Sequence, residues 1–458
     1  MTKIPSIQTV IGLLLCGTLF CFWGWYNGYP FVYPDTGTYV DSGFENYLPG
    51  DRPITYGLFC RHISMSESLL WVMLVQGVLS AVLVREWLRA FAASHLNPAT
   101  MLAAVVFLIS CTTASIYASF ITPDFLTPIF YGILIALLVV PSGRWRAALL
   151  STLALFAAMT HNSHLLGGLV FGTCLLGYQF WASKEQRFTW KKVGLVWAIV
   201  VVGWIGLFAL NISYGKKWDI MPDSHAFTMG RLHEIGLVRQ YLDVKCADTN
   251  LYLCPQKDAI PDDILWDSNS PMSQGGGWQV HRQENQFIIG DIMTTPRFLK
   301  RYIIEALNST VKQFFYFRAE TIGPVPGDGG PNNSVKKHFP NELITYKIAH
   351  QNHRNWLLDV EGLNTRQQYL FFACLIVMVL LWTKSGWQAA IPSALQKAYY
   401  LLFLCLIINA FVCATFSTVV SRYQGRLIWL YIFTGVMIAA IKYLPEIRSR
   451  LQQPETKT

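Results

Sequence analysis

Charge is scarce in this sequence: Asp, Glu, Lys and Arg together make up 14% of its 458 residues. A soluble chain carries about 25%, so the shortage argues against an ordinary water-soluble globule. No charged residue lies near the middle of any long apolar run. That argues against ion-coupled transport, which places ionisable groups at mid-membrane depth. No Cys-x-x-Cys pair and no His/Cys cluster at zinc-ligand spacing occurs. The short alternating segments of a membrane β-barrel are missing, as are solenoid repeats and low-complexity tracts. The apolar N-terminal run has no small-residue cleavage site after it. It reads as an uncleaved first span, not as a removed signal.

What is present is apolar: 53% hydrophobic residues and a mean hydropathy of +0.34. Apolar runs of roughly 17–25 residues recur, the length a helix needs to cross the hydrocarbon. They predict an all-α polytopic membrane protein with about ten transmembrane helices. The expected spans are 7–26, 66–84, 99–119, 124–141, 145–161, 165–182, 193–213, 367–383, 398–418 and 426–443. Three parts follow: an N-terminal transmembrane module (1–213) with its first outer loop at 27–65, a mixed, mainly helical extracytoplasmic segment (214–366), and a C-terminal transmembrane module with a cytoplasmic tail (367–458).

The net charge of +9 is carried largely by short loops. Arg85 and Arg89, Arg144 and Arg146, Lys184 to Lys192, Lys384 and Lys397, and the C-terminal tail all fall on one side if the spans alternate. By the positive-inside rule that side is the cytoplasm, and both termini lie there. No basic domain of nucleic-acid-binding type is present, so nucleic acid is not an expected partner. The expected location is the plasma membrane, the inner membrane of a bacterial cell envelope. Facing out would be the 27–65 loop, the turns at Asp124 and at 161–164, the 214–366 segment, and 421–426.

Seven of the ten cysteines lie within expected spans, as small apolar fillers. Cys246 and Cys254 bracket a short loop on the oxidising side and are expected to form a disulfide. Helical spacing occurs at 225–242 and 280–293, and Pro296 opens a third, amphipathic helix over 296–317. Its apolar face would lie on the membrane surface. Two glycine-rich stretches, 273–278 and 323–334, read either as mobile loops over a site or as plain linkers.

Among residues able to carry chemistry, Asp35 stands first. Pro34 fixes the turn before it, and Tyr26, Tyr29, Phe31 and Tyr33 surround it in sequence. Partial desolvation there is expected to raise its pKa and improve it as a general base, although an Asp at this position could simply cap a short helix. Asp124 follows Thr122-Pro123 at the outer end of a span, where it suits a helix N-terminus. Two outward carboxylates could also hold an acceptor hydroxyl or a metal ion. His161 and His164, three apart, fit a metal or polar substrate, or hydrogen-bonded interfacial positions.

Asp35, followed by Arg52-Pro53-Ile54-Thr55-Tyr56-Gly57-Leu58-Phe59, resembles the first outer loop of the GT-C superfamily of membrane glycosyltransferases. Pro123-Asp124, the Pro-led helix at 296–317 and Arg422-Tyr423-x-x-Arg426 are similar to further parts of that family. The resemblance implies an inverting transferase that takes a sugar from a polyprenyl-phosphate donor to a glycan, lipid or protein acceptor. Asp35 would be the catalytic base and Asp124 would position acceptor or metal. Arg422, Tyr423 and Arg426 would hold the donor phosphate, with Arg52, Tyr56, His161 and His164 around the substrates. The family pattern often has an Asp-Glu pair where this chain has Asp124-Phe125, which leaves a divalent cofactor, Mg or Mn, open. A polymerase or ligase of lipid-linked oligosaccharide and a flippase or transporter are the alternatives.

Overall fold

The computed structural model describes residues 7–215, 221–274, 276–320, 322–325, 330–353 and 358–452. Among them all regular structure is helical, with two isolated β-bridges. The first apolar run forms α1 (Ile7–Phe20) and α2 (Phe22–Asn27). The loop after it contains two short helices, α3 (Pro34–Glu45) and α4 (Thr55–Ser64), before the long α5 (Leu69–Phe91). The expected span 99–119 is divided into α6 (Pro98–Cys111) and α7 (Ala114–Ser119). Thr112 leaves the helix in extended conformation while its hydroxyl donates to the Leu108 carbonyl at 2.7 Å. A Thr side chain that competes with the backbone in this way favours a helix end.

After a turn at Pro123–Phe125 come α8 (Leu126–Val139), α9 (Arg144–Thr160), α10 (Asn162–Trp181) and α11 (Trp190–Ser213). The 214–366 segment contains α12 (Ser224–Glu234), α13 (Leu237–Lys245), α14 (Arg282–Thr294), α15 (Pro296–Phe315), α16 (Pro331–His338) and α17 (Leu343–Ile348). The helix expected over 225–242 is therefore two helices. Gly236, at φ +73°, turns the chain between them, a conformation that costs glycine little. The chain ends with α18 (Glu361–Thr383), α19 (Ser385–Ala390), α20 (Ser393–Phe416) and α21 (Ser421–Gln452).

Among the described residues, five helices are long and apolar enough to cross a membrane: α5, α11, α18, α20 and the Ser421–Leu444 part of α21. Each of the other expected spans coincides with helix as well, in shorter or less apolar pieces. One large apolar core runs through this bundle, from Phe20 and Val72 to Leu134, Leu402 and Ile432. The 226–302 part of the 214–366 segment has a core of its own, built from Met229, Leu237, Tyr241, Ile264, Ile288 and Phe298 among others, whereas Phe317, Val335, Phe339 and Tyr346 belong to the bundle core. α15 contributes Phe298 to that core and leaves Ile303, Leu307 and Val311 about half exposed or more.

The first loop is fixed to the bundle by unusually specific polar contacts. Phe31 pairs with the 119–121 turn through Phe31 N to Ser119 O and Ile121 N to Phe31 O, both 2.9 Å. The buried Gln351 amide pairs with residue 32 as a strand would: Val32 N donates to Oε1 at 3.0 Å, and Nε2 donates to Val32 O at 2.7 Å. α3 and α4 cross at two glycines. A Cβ on Gly43 would lie 2.0 Å from the Gly57 carbonyl oxygen, so neither position has room for a side chain. That contact sets the spacing between Asp35 at one end of α3 and Arg52 just before α4.

Candidate functional site

The site is built where α3 begins. Tyr33 is extended, Pro34 takes the first helical position, and Thr36 closes the turn by accepting from Tyr33 N at 3.0 Å. The Thr36 hydroxyl in turn donates to Ile121 O at 2.9 Å, which anchors the turn to the bundle. Asp35 is thus held in the first turn of a helix, where the backbone dipole favours a carboxylate.

Two guanidinium groups bracket it. Arg422, at the start of α21, donates Nη2 to Asp35 Oδ2 at 2.8 Å across 387 residues of sequence. Arg52 Nη1 lies 3.2 Å from Oδ1 and is itself paired with Asp51. Each arginine also covers an aromatic ring: Arg422 over Tyr33 at 4.8 Å and Arg52 over Tyr39 at 5.0 Å. Burial alone pushes the Asp35 carboxyl up, yet the charges and hydrogen bonds of Arg422 and Arg52 outweigh it and hold the group at about 2. This reverses the shift expected from its aromatic surroundings: the arginines, distant in sequence, win over desolvation. The Nε–H of Arg422 is buried without a hydrogen-bond partner, although its Nη2 is engaged.

Asp35, Arg52, His161, Arg422 and Tyr423 all line one cavity of about 920 Å³. One part of its lining is apolar, with Leu166 from α10 and Val412 and Phe416 from α20. Its other side is formed by the 214–366 segment, through Met221, Phe227, Trp266 and Trp278. Trp278 ends the glycine-rich stretch 273–278, so that stretch delivers a cavity residue; residue 275 within it lies outside the described residues. Of the second glycine-rich stretch, 326–329 lie outside the described residues, and Gly330 packs its backbone against Gly37 of α3.

The remaining sequence candidates sit one layer deeper, in the packing and not at the cavity. Asp124 is 5% exposed and pairs with the fully buried Arg426, Nη1 to Oδ1, at 2.6 Å. Arg426 also donates Nη2 to Ser163 Oγ at 3.1 Å, and Ser163 Oγ lies 2.8 Å from His161 Nδ1. Asp124 therefore reaches the cavity only through the chain Arg426, Ser163, His161. Ser163 N donates to His161 Nδ1 at 3.2 Å, so in the neutral ring the proton is on Nε2. His164 is buried between Thr127 Oγ1 at 2.8 Å and Ala157 O at 2.7 Å. Tyr56 is buried and donates to Gln76, whose amide donates to the carbonyls of Ala118 and Phe120.

Asp35 and Asp124 do not fit a divalent cation, because each carboxylate already faces a guanidinium, at 2.8 and 2.6 Å. Among the described residues, three potential metal ligands converge only at Asp41, Glu45 and His338, where α16 meets the far end of α3. There the Lys337 ammonium already sits 2.7 Å from Glu45, and His338 Nε2 lies 3.0 Å from Asp41. Cys246 and Cys254 are disulfide-bonded, with Cα atoms 5.6 Å apart.

Three cavity carboxylates stand outside the sequence candidates: Asp51, Asp223 and Glu320. Glu320 accepts from the Ser421 hydroxyl at 2.9 Å, next to Arg422. Asp51 adjoins Arg52 in sequence, but no spacing signal distinguishes Asp223 or Glu320 from the other acids of the 214–366 segment. Comparison of the chain with protein-family models, with curated proteins and with solved structures gives no match.

Proposed function

We propose that the chain is a membrane glycosyltransferase of GT-C type that takes a sugar from a polyprenyl-phosphate donor. The observation that carries this reading is the Arg52–Asp35–Arg422 constellation on the wall of a cavity that is also lined by apolar side chains of α10 and α20. In this reading all ten apolar segments span the membrane, the basic loops face the cytoplasm, and the cavity opens on the extracytoplasmic side. The prenyl chain lies along Leu166, Val412 and Phe416. The donor phosphate engages Arg422, whose fork matches phosphate oxygens and whose Nε–H is free to donate.

The chemistry is a displacement at the anomeric carbon. Asp35 takes the proton of the acceptor hydroxyl as its oxygen bonds to that carbon. The bond from carbon to phosphate oxygen breaks, its electron pair leaves with the lipid phosphate, and configuration inverts. Arg422 stabilises the charge that develops on the leaving oxygen. At rest Asp35 is a weak base, because both arginines hold it down. A phosphate that draws Arg422 away removes part of that hold and raises the carboxylate toward a useful basicity.

The test is transfer from polyprenyl-phosphate sugars in proteoliposomes. Asp35→Asn is expected to slow turnover by about 10²–10⁴-fold, the range for losing a general base, while donor binding persists. Undiminished turnover in the variant would remove Asp35 as the base, and absence of transfer by the wild type would remove this reading.

A further inference from the structure

We infer that the aromatic wall formed by Phe227, Trp266 and Trp278 is the acceptor subsite, and that the acceptor it takes is a saccharide. This rests on the transferase reading and adds the substrate class to it.

Trp266 is 59% exposed although it lines a concave site. Its neighbours brace it. The Trp266 and Trp278 ring centroids lie 5.1 Å apart at 65°, and Phe227 meets them at 6.2 Å and 5.7 Å, at 72° and 75°. Three rings set at steep angles make a stiff corner, and the open indole surface is available at little ordering cost. The carboxylates of Asp51 and Asp223 line the same cavity. Gln279, next to Trp278, donates its amide to Asp223 and ties the tryptophan-bearing turn to that carboxylate.

A pyranose ring matches this pairing. One of its faces presents C–H groups and packs on an aromatic body, while its rim presents hydroxyls that donate to carboxylates. A lipid tail would set hydrocarbon against the Asp51 and Asp223 carboxylates and use none of their remaining acceptor positions. A phosphate has its own partner in Arg422. Donor and acceptor thus approach Asp35 from different sides: the phosphate by the arginines at the bundle, the acceptor sugar by the tryptophans of the 214–366 segment.

The test is calorimetric titration of the purified full-length protein with cellobiose, mannobiose and N,N′-diacetylchitobiose, with choline as a cationic control. At least one disaccharide is expected to bind. Trp266→Ala and Trp278→Ala should each weaken it tenfold or more, and Trp266→Phe should restore most of the affinity. A circular dichroism melt confirms that each variant folds. Binding of none of the sugars, affinity unchanged in both alanine variants, or binding of choline alone would overturn the inference. Asp35→Asn separates it from the transferase reading. If that variant transfers normally while Trp266 still governs sugar binding, the subsite stands and Asp35 falls as the base; if the wild type transfers no sugar while Trp266 governs binding, the subsite stands and the reaction falls. If transfer is lost and the tryptophans make no difference to binding, the reverse holds.

Discussion

Asp35 is held between two cations that the sequence places 17 and 387 residues away. That a carboxylate sits at this turn was legible from Tyr33-Pro34-Asp35 and the apolar run before it. Its electrostatics were not, because they come from partners that only the folded chain brings near. With its pKa depressed to about 2, Asp35 adds stability from about pH 4 upward, and that contribution is lost as pH falls toward 2. The same shift predicts a kinetic asymmetry. The acid limb of kcat/KM reports the free enzyme and should lie far below neutral pH. The acid limb of kcat reports the loaded enzyme, where phosphate competes for Arg422, and should lie at higher pH. Superimposed limbs in the two profiles would contradict the competition. Asp124 behaves differently, being a structural partner of a fully buried arginine. Asp124→Ala leaves the Arg426 charge uncompensated and is expected to cost about 3–5 kcal/mol, read as a drop in melting temperature. Reading positions along the chain gives depth in the membrane but not direction around a helix. Arg422 and Arg426, four residues apart on α21, share a helix face and differ by one turn, about 6 Å along the axis, and that turn separates the cavity from the core.

Among the elements, long apolar helices were the most legible, since a run of suitable length and composition determines them almost alone. Breaks were less so. The division at Thr112 depends on one hydroxyl turning back to a carbonyl, and the division at Gly236 on one left-handed residue. Neither disturbs the hydrophobic period on which the reading relied. The Pro-led α15 was plain from Pro296 and its spacing, and its exposed Ile303, Leu307 and Val311 agree with an apolar face left open. The close crossing of α3 and α4 had no signal beyond two glycines among the 33 in the chain. It yields a sharp expectation: Gly43→Val drives side-chain atoms into the Gly57 carbonyl and should destabilise the protein by about 1–3 kcal/mol or more. Gly12→Ala, which meets nothing within 4 Å, is the control that should be tolerated in the same thermal melt.

Taken as a whole, the molecule joins a helical bundle to a stretch over 226–302 with a separate core, and the cavity lies where the two meet. The drop of hydrophobicity between residues 213 and 366 is visible in the sequence, but Phe317, Val335, Phe339 and Tyr346 within it pack into the bundle core. Which side chains the segment turns toward the bundle was not visible, because Met221, Phe227, Trp266 and Trp278 come from a helix and from irregular loops without periodicity. The ion pair between Asp35 and Arg422 also sets an order of events in the cell. A ribosome makes the first carboxylate hundreds of residues before its second cation, so the centre is completed only when the final helix enters the bilayer. A chain released before residue 421 would keep Asp35 and Asp124 without those partners, and membrane quality control should remove it. Supplying 367–458 as a separate polypeptide alongside 1–366 should restore both its lifetime and its activity, and pulse-chase of the two pieces would show it.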